Sequence, residues 1–290
     1  MKKIKVLIPI YNDWKSVFKL LENIDTQISK LNFEFSVIIV NDGSTQQKPE
    51  IFLKLHHLKS IKIINMKKNK GHGRCNAAGL KYIFENEEFD YIIPMDGDGE
   101  DRPEEIREFI NKLKDSPDLP VVGERVKRSE SAIFKFCYEI HKILTLIFTG
   151  KSIKFGHFTC LPKLIVQKML KEKSTWNCFS ASLVKITSKK NSIPSIRGIR
   201  YFDQSKMSFL NLVMHSFSIM SVFKLTVLFR SILFVILYFF LIHNNISIIT
   251  LIPIPLIIVF VMVLFSLSKR ENLDELNKSL ENINNIESLK

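Results

Sequence analysis

Hydrophobic positions along the chain fall into short unbroken runs separated by stretches with helical periodicity. Residues 3–10 (KIKVLIPI), 35–41 (FSVIIVN), 61–66 (IKIINM), 90–95 (DYIIPM) and 119–123 (LPVVG) are apolar or β-branched. Runs of that length predict buried strands, and the amphipathic stretches between them predict helices. Alternation of this kind predicts an α/β domain with a mostly parallel, doubly wound central sheet. Ligands in such sheets sit beyond the carboxyl ends of the strands. There the chain carries Tyr11-Asn12-Asp13, Asp42-Gly43-Ser44 and Asp96-Gly97-Asp98, after its first, second and fourth runs. The lysines and apolar run of residues 1–10 superficially resemble a signal peptide. The run is too short, ends around Pro9 and lacks a small-residue cleavage site, so it is read as a strand.

The pattern changes in the last third. From Ser231 to Ser268 there is no Asp, Glu, Lys or Arg, and the polar His243-Asn244-Asn245 interrupts the run. One bilayer crossing takes about 20 residues, so the segment reads as two spans, about 222–242 and 246–267, joined by a tight turn. Lys224 and Arg230 fall in the first turns of the first span, where long basic side chains reach back to the near surface. Lys269-Arg270 closes the second span, and with the basic residues before Lys224 it predicts that both ends face the cytoplasm. Residues 132–149 and 207–220 read as interfacial amphipathic helices, with a core-facing role equally open for the first. Leu273, Leu276, Leu280, Ile283, Ile286 and Leu289 lie on one helical stripe. That suits either a coiled-coil contact in a homo-oligomer or a loosely ordered amphipathic tail, and the second is preferred. The expected division is a catalytic domain over 1–205, an interfacial helix over 206–221, two transmembrane helices over 222–267 and a cytoplasmic tail over 268–290.

Composition then narrows the partner. The chain has 290 residues, enough for one catalytic domain with a sizeable core plus a smaller appendage. A net charge of +13 suits a polyanion. With so apolar a C-terminal third, that charge points to an anionic membrane surface and not to nucleic acid. Four scattered cysteines, without a C-x-x-C pair, fit a reduced protein with no zinc finger.

The strongest chemical signal is the acidic stretch Asp96-Gly97-Asp98-Gly99-Glu100-Asp101 directly after a hydrophobic strand. Carboxylates one residue apart at a strand end can converge on a hard cation, Mg²⁺ or Mn²⁺, that also takes diphosphate oxygens. Such a cation stabilises a departing nucleoside diphosphate. An acidic loop that merely faces water is the bland reading of a lone D-x-D, and the position at a strand terminus favours the other. Gly71-x-Gly73 is not a dinucleotide fingerprint, since it follows a third strand and Asn76 replaces the last glycine.

Six segments, VLIPIYND (6–13), VIIVNDGST (37–45), NKGHGRCNAAGL (69–80), MDGDGEDRPEEI (95–106), VVGERVKRSES (121–131) and RGIRYFDQSKM (197–207), occur in an order and spacing similar to those of inverting GT-A family 2 glycosyltransferases. Among these the chain most resembles the bacterial polyprenyl-phosphate (dolichyl-phosphate) sugar synthases, over about residues 4–220. The resemblance implies a GT-A, Rossmann-like nucleotide-sugar domain with a metal-dependent, inverting activity. It places Pro9, Tyr11, Asp13 and Asp42 at the donor's base and ribose, and Gly71 and Arg74 beside its diphosphate. Asp96 would contact the ribose or metal, Asp98 would be the principal metal ligand, and Glu100 a further one.

For the acceptor, a sugar hydroxyl would require a base to take its proton, whereas a lipid phosphate is already anionic and needs cationic guidance. Arg125, Arg128, Lys135, Arg197, Arg200 and Lys206 are the candidates for that guidance. Arg125 is also carried, with Asp96, Asp98 and His157, among the catalytic candidates. His157 stands in a segment, Phe155 to Thr159, that departs from the resembling enzymes. It is either a general base or, as is commoner for a single histidine near aromatic rings, structural. The leading expectation is transfer of one hexose-type sugar from a UDP- or GDP-sugar to a polyprenyl (undecaprenyl-type) phosphate on the cytoplasmic membrane. The alternatives are transfer to a hydroxyl of a lipid-linked saccharide or surface glycan, and an inactive nucleotide-sugar-binding membrane module.

Overall fold

The computed structural model describes residues 1–50, 53–127, 132–202 and 209–290, apart from the side chains of 127, 132–138, 209 and 211–212. Two compact units emerge. The first comprises Met1–Ser129, Lys154–Ser205 and Leu273–Lys290, and the second Glu130–Ile153 and Lys206–Asn272.

The first unit is the α/β domain. Its strands are β1 (Lys3–Ile10), β2 (Glu34–Asn41), β3 (Ser60–Met66), β4 (Tyr91–Pro94), β5 (Val121–Lys127), β6 (Thr159–Pro162), β7 (Asn191–Ile196) and β8 (Ile283–Ser288). Its helices are α1 (Trp14–Ile28), α2 (His72–Asn86), α3 (Ile106–Asp115), α5 (Lys163–Leu170), α6 (Phe179–Ile186) and α11 (Leu273–Asn277). They form one eight-stranded sheet in the order β7-β5-β6-β4-β1-β2-β3-β8. β4, β1, β2 and β3 are parallel, while β6 and β8 run antiparallel to their neighbours. All five predicted strands are present. β1 and β2 bury nearly every residue because helices cover both faces. Ile4, Val6 and Ile8 meet Val17, Leu21 and Ile24 of α1 and Phe109 of α3 in one core cluster.

The fold corrects the reading of the tail. Leu273 and Leu276 do lie on a helix, α11, but it ends at Asn277, and residues 283–288 pair antiparallel with β3, Ile64 opposite Ile286. An edge strand leaves a row of backbone N–H and C=O groups open, and β8 satisfies the edge of β3. The tail therefore belongs to the α/β unit, while residues 130–153 fall in the second compact unit. β6 and β7 are additions that the sequence pattern did not reveal. Each is short and carries a proline, Pro162 or Pro194, and proline weakens a strand signal.

The second unit is helical, with α4 (Ala132–Thr149), α7 (Phe209–Ser221), α8 (Lys224–Ile242), α9 (Ile248–Leu251) and α10 (Pro253–Ser268). The two segments Lys224–Ile242 and Ile248–Asn277 are long and apolar enough to cross a membrane. Phe229, Leu237 and Phe240 on the first, and Leu256 and Met262 on the second, are half or more exposed, as lipid-facing side chains would be. The hairpin closes where Lys224 Nζ donates to Ser268 Oγ at 2.9 Å, joining the start of α8 to the end of α10. Met220, Val227 and Leu264 form the unit's small core with Phe148, Phe217 and Phe260. α4 leaves Ile143, Leu146 and Ile147 about half exposed, a face suited to an interface and unlike a core helix. Arg230, expected to reach toward the membrane surface, instead donates to the carbonyl of Ile147 at 2.8 Å. That carbonyl is one of the unpaired groups ending α4, where a cation also meets the negative end of the helix dipole.

Candidate functional site

β1 lies between β4 and β2, and the rim beyond their carboxyl ends is the crevice of this sheet. Pro9 is buried inside β1, while Tyr11, just past its end, is 43% exposed. Asn12 adopts a positive φ of 53° and ties the loops after β1 and β2 together. Its side-chain oxygen accepts from the amides of Thr45 (2.8 Å) and Gln46 (2.9 Å), and its own amide donates to Ser44 Oγ (2.8 Å).

Asp42 is buried, and its carboxylate accepts from the amides of Lys70 (2.9 Å) and Gly71 (2.8 Å). Burial pushes the carboxyl up and the two amides pull it back, leaving it above its ordinary value. Those two bonds hold the loop that opens α2. Each oxygen keeps a second lone pair, and Asp42 lines a cavity of about 490 Å³. Lys67, Lys70 and Arg74 line the same cavity, with Trp176, Glu275 and Asn282. Arg74 lies over the Trp176 ring, 5.5 Å from its centroid, and Trp176 Nε1 donates to Glu275 at 2.8 Å. The returning tail thus forms one wall of the predicted donor site.

The loop after β4 gathers Asp96, Asp98, Glu100 and Asp101. Gly99 allows the loop's turn. Its φ is +90°, and a Cβ there would lie 2.6 Å from the Tyr201 ring, itself fixed by a hydrogen bond from Asn23 (2.7 Å). Arg200 bridges two strand ends, pairing with Asp98 and with Asp13 (3.1 Å), and Arg197 pairs with Glu100. Two residues assigned by sequence to the acceptor phosphate are thus ion-paired with the predicted metal and donor carboxylates. Burial and the neighbouring Asp96 push the Asp98 carboxyl up to about 6 and that of Asp101 up to about 7. Asp96 behaves oppositely: desolvation would raise it, but His72, His157 and Arg197 hold it well below the usual carboxylate range.

Asp96 Oδ1 lies 3.2 Å from His72 Nε2, and the His72 and His157 rings meet edge to face, centroids 4.7 Å apart. His157 also contacts Phe179, at 5.1 Å between centroids. Arg125 crosses Gly156, where a Cβ would lie 3.0 Å from its guanidinium, so it stands next to His157. Arg128 and Lys206 lie outside the described residues. Lys135 falls on α4, with its side chain outside them.

Sequence reading thus reached the residues at the ends of β1, β2 and β4 and the arginines that pair with them. It gave Asp101 no role within the acidic stretch and passed over His72, Trp176 and Glu275. A histidine directly after the glycine opening a helix was the available signal for His72. Trp176 and Glu275 carried none, because only folding brings Glu275, in the tail, to Trp176.

The sequence profile described as Glycosyl transferase family 2 matches residues 5–162, more than half of the chain. Undecaprenyl-phosphate 4-deoxy-4-formamido-L-arabinose transferases of Salmonella choleraesuis and Salmonella typhimurium are each 29% identical over 222 residues. The matched region is 73% of this chain, and the chain spans only 65% of the length of those relatives. Among solved structures, glucosyl-3-phosphoglycerate synthase from Mycobacterium tuberculosis superposes with a TM-score of 0.53 at 10% identity, covering 78% of this chain and 80% of that one. Staphylococcus aureus TarS 1-349 with UDP-GlcNAc gives 0.50 at 14% identity, covering 80% and 70%. These structural likenesses establish a shared GT-A fold.

Proposed function

The chain belongs to glycosyl transferase family 2, and from that premise we propose that it transfers a single sugar, with inversion, from a UDP- or GDP-sugar to a polyprenyl phosphate at the cytoplasmic face of a membrane. One observation carries the proposal. Carboxylates from the ends of β1 and β4 are joined through Arg200, with Arg197 and Glu100 alongside. Such a rim has complements for a cation and for two phosphate-bearing substrates. The names of the similar Salmonella proteins, undecaprenyl-phosphate sugar transferases, support the acceptor.

The donor set fits a divalent cation. Among the described residues, buried Asp96 Oδ1 has no well-aligned hydrogen-bond donor, with His72 Nε2 at 3.2 Å, and Asp98, Glu100 and Asp101 crowd negative charge into the same loop. Asp96 and Asp98 would hold Mg²⁺ or Mn²⁺. When bound, the cation stabilises the charge on the leaving nucleoside diphosphate.

The protein's own residues supply the rest. Arg74 on Trp176, together with Lys70, gives the donor cavity a cationic wall for the nucleotide, and Asp42 fixes the loop that shapes it. A phosphate oxygen of the acceptor attacks the anomeric carbon from the side opposite the diphosphate. The bond from that carbon to the donor phosphate oxygen breaks, and its electron pair leaves with the diphosphate. The attacking oxygen is already anionic, so the step needs orientation and charge, which Arg125, Arg197 and Arg200 provide. Arg197 and Arg200 are neutralised by Glu100 and Asp98 in this structure. Once those carboxylates are otherwise engaged, the guanidiniums are released to phosphate oxygens. Both hairpin ends meet at Lys224 and Ser268, beside Lys269-Arg270. Positive-inside logic then puts this side in the cytoplasm, where nucleotide sugars are.

The test is incubation of the full chain in detergent with radiolabelled nucleotide sugars, polyprenyl phosphate and Mg²⁺ or Mn²⁺, followed by organic extraction. Metal-dependent label in the lipid phase is expected. Its absence with every common donor would reject the proposal.

A further inference from the structure

Three ligand-type side chains converge where the sequence motifs marked only one. His72 opens α2, Asp96 follows β4 and His157 precedes β6, so three separate elements deliver them. The register explains the meeting. β4 and β6 are antiparallel with Ile92 opposite Leu161, so the segment after β4 that carries Asp96 and the segment before β6 that carries His157 leave the pair at the same end. The loop held by Asp42 then sets His72 against the same carboxylate, with Asp96 Oδ1 at 3.2 Å from His72 Nε2. One ligand atom from each residue can be chosen so that all three lie within 4.8 Å of one another.

We propose that His72, Asp96 and His157 form a two-histidine, one-carboxylate site for a divalent transition metal, with Mn²⁺ preferred over Mg²⁺. The inference deepens the transferase reading and rests on it for the ion's task. Three atoms mutually within 4.8 Å lie no more than about 2.8 Å from a common point. Coordination at about 2.0–2.2 Å then needs each to close in by less than about 1 Å. Two observations besides proximity point to a ligand. Among the described residues, buried Asp96 Oδ1 has no well-aligned hydrogen-bond donor, and its near neighbour is His72 Nε2 at 3.2 Å. Asp98, which would join the ion once substrate phosphates draw Arg200 away, and Glu100 are paired with Arg200 and Arg197 in this structure, so the two histidines are the further donors at hand beside Asp96. Imidazole nitrogens suit transition metals, whereas Mg²⁺ takes oxygen ligands and keeps several waters. Two histidines and a carboxylate leave coordination positions open, and diphosphate oxygens can fill them.

Pulsed EPR of the Mn²⁺-loaded full chain in detergent tests this without any mutation. Echo modulation from directly bound imidazole nitrogen is expected, shifting on ¹⁵N-histidine labelling. Mn²⁺ binding without such modulation, or no Mn²⁺ binding, would overturn the site. In a parallel titration the double variant His72→Gln/His157→Gln should weaken Mn²⁺ at least ~10-fold, a typical cost of perturbing a metal's ligand environment. An unchanged Mn²⁺ affinity in that variant would also overturn it. The two readings fail separately. Lipid-phase label with no nitrogen modulation sinks the histidine site alone, and nitrogen modulation with no lipid-phase label sinks the transferase proposal alone.

Discussion

Glu87, at the C-terminal end of the helix that begins with His72, offers a sharp test of what holds the α/β unit together. Its carboxylate bridges Lys5 of β1 at 2.8 Å and Lys62 of β3 at 2.6 Å, and its side chain and that of Lys5 are each only 9% exposed. Replacing it by Gln keeps the shape and one acceptor oxygen but leaves the Lys5 ammonium buried beside a neutral group. Removing one partner of a buried pair costs about 3–5 kcal/mol, and the retained oxygen argues for the lower end, about 3. The bridge to Lys62, which is more than a third exposed, adds at most about 1 kcal/mol. For a unit of about 200 residues, 1 kcal/mol moves Tm by about 2–4 °C, so Glu87→Gln should lower Tm by about 6–12 °C. Both tryptophans, Trp14 and Trp176, belong to this unit, so their fluorescence in a thermal scan reports on it directly. Burial raises the Glu87 carboxyl, but Lys5 and Lys62 outweigh it, so its folded pKa lies below the ordinary 4.5. Stability from a depressed carboxylate is fully present above the unfolded pKa and is lost as pH falls through the folded one. The gap between wild type and variant should therefore be complete at pH 7 and shrink below about pH 4.5. The neighbouring Glu88→Gln, at a position 86% exposed, should leave Tm unchanged. Equal Tm for Glu87→Gln and wild type at pH 7, or a gap independent of pH, would refute the reasoning.

Three further outcomes follow from the same structure. Leu276→Ala removes a fully buried side chain that packs on Ala77 and Trp176; it should cost about 2–5 kcal/mol, read by chemical denaturation, and should weaken nucleotide-induced thermal stabilisation because the cavity wall moves. Gly99→Ala forces a Cβ onto a backbone with φ of +90° and into the Tyr201 ring; about 1–3 kcal/mol of strain should appear as lower Tm and reduced transfer, and Tyr201→Ala in the same chain should relieve only the steric part. Asp98→Ala removes the carboxylate that pairs with Arg200; sugar transfer and donor hydrolysis should both fall by at least ~10²-fold while tryptophan-detected unfolding remains cooperative, with product release measured by nucleotide diphosphate assay.

The sequence alone determined what local pattern can encode. Unbroken apolar runs specified five of the eight strands among the described residues, because a strand buried on both faces must be apolar throughout its length. The uncharged stretch from Ser231 to Ser268 specified the helical hairpin, since its composition has no other good solvent. The acidic residues after β1, β2 and β4 were legible because chemistry at a strand terminus depends on position along the chain. Tertiary structure decided everything that needed a partner. Ile283 and Ile286 fit a helical stripe as well as a strand, and only the open backbone edge of β3 resolved residues 283–288 as β8. The same pairing carried the tail back to wall the cavity at Asp42. Arg197 and Arg200 read as phosphate ligands until folding set them against Glu100 and Asp98, charges about a hundred residues away in the chain. His72 and His157, too far apart for any spacing rule, became neighbours because the antiparallel β4–β6 pair brings the segment before β6 to the end of β4 and the loop held by Asp42 sets the start of α2 against it. Periodicity reports which face of an element is buried, but which residues meet across elements is a property of the ladder and the packing.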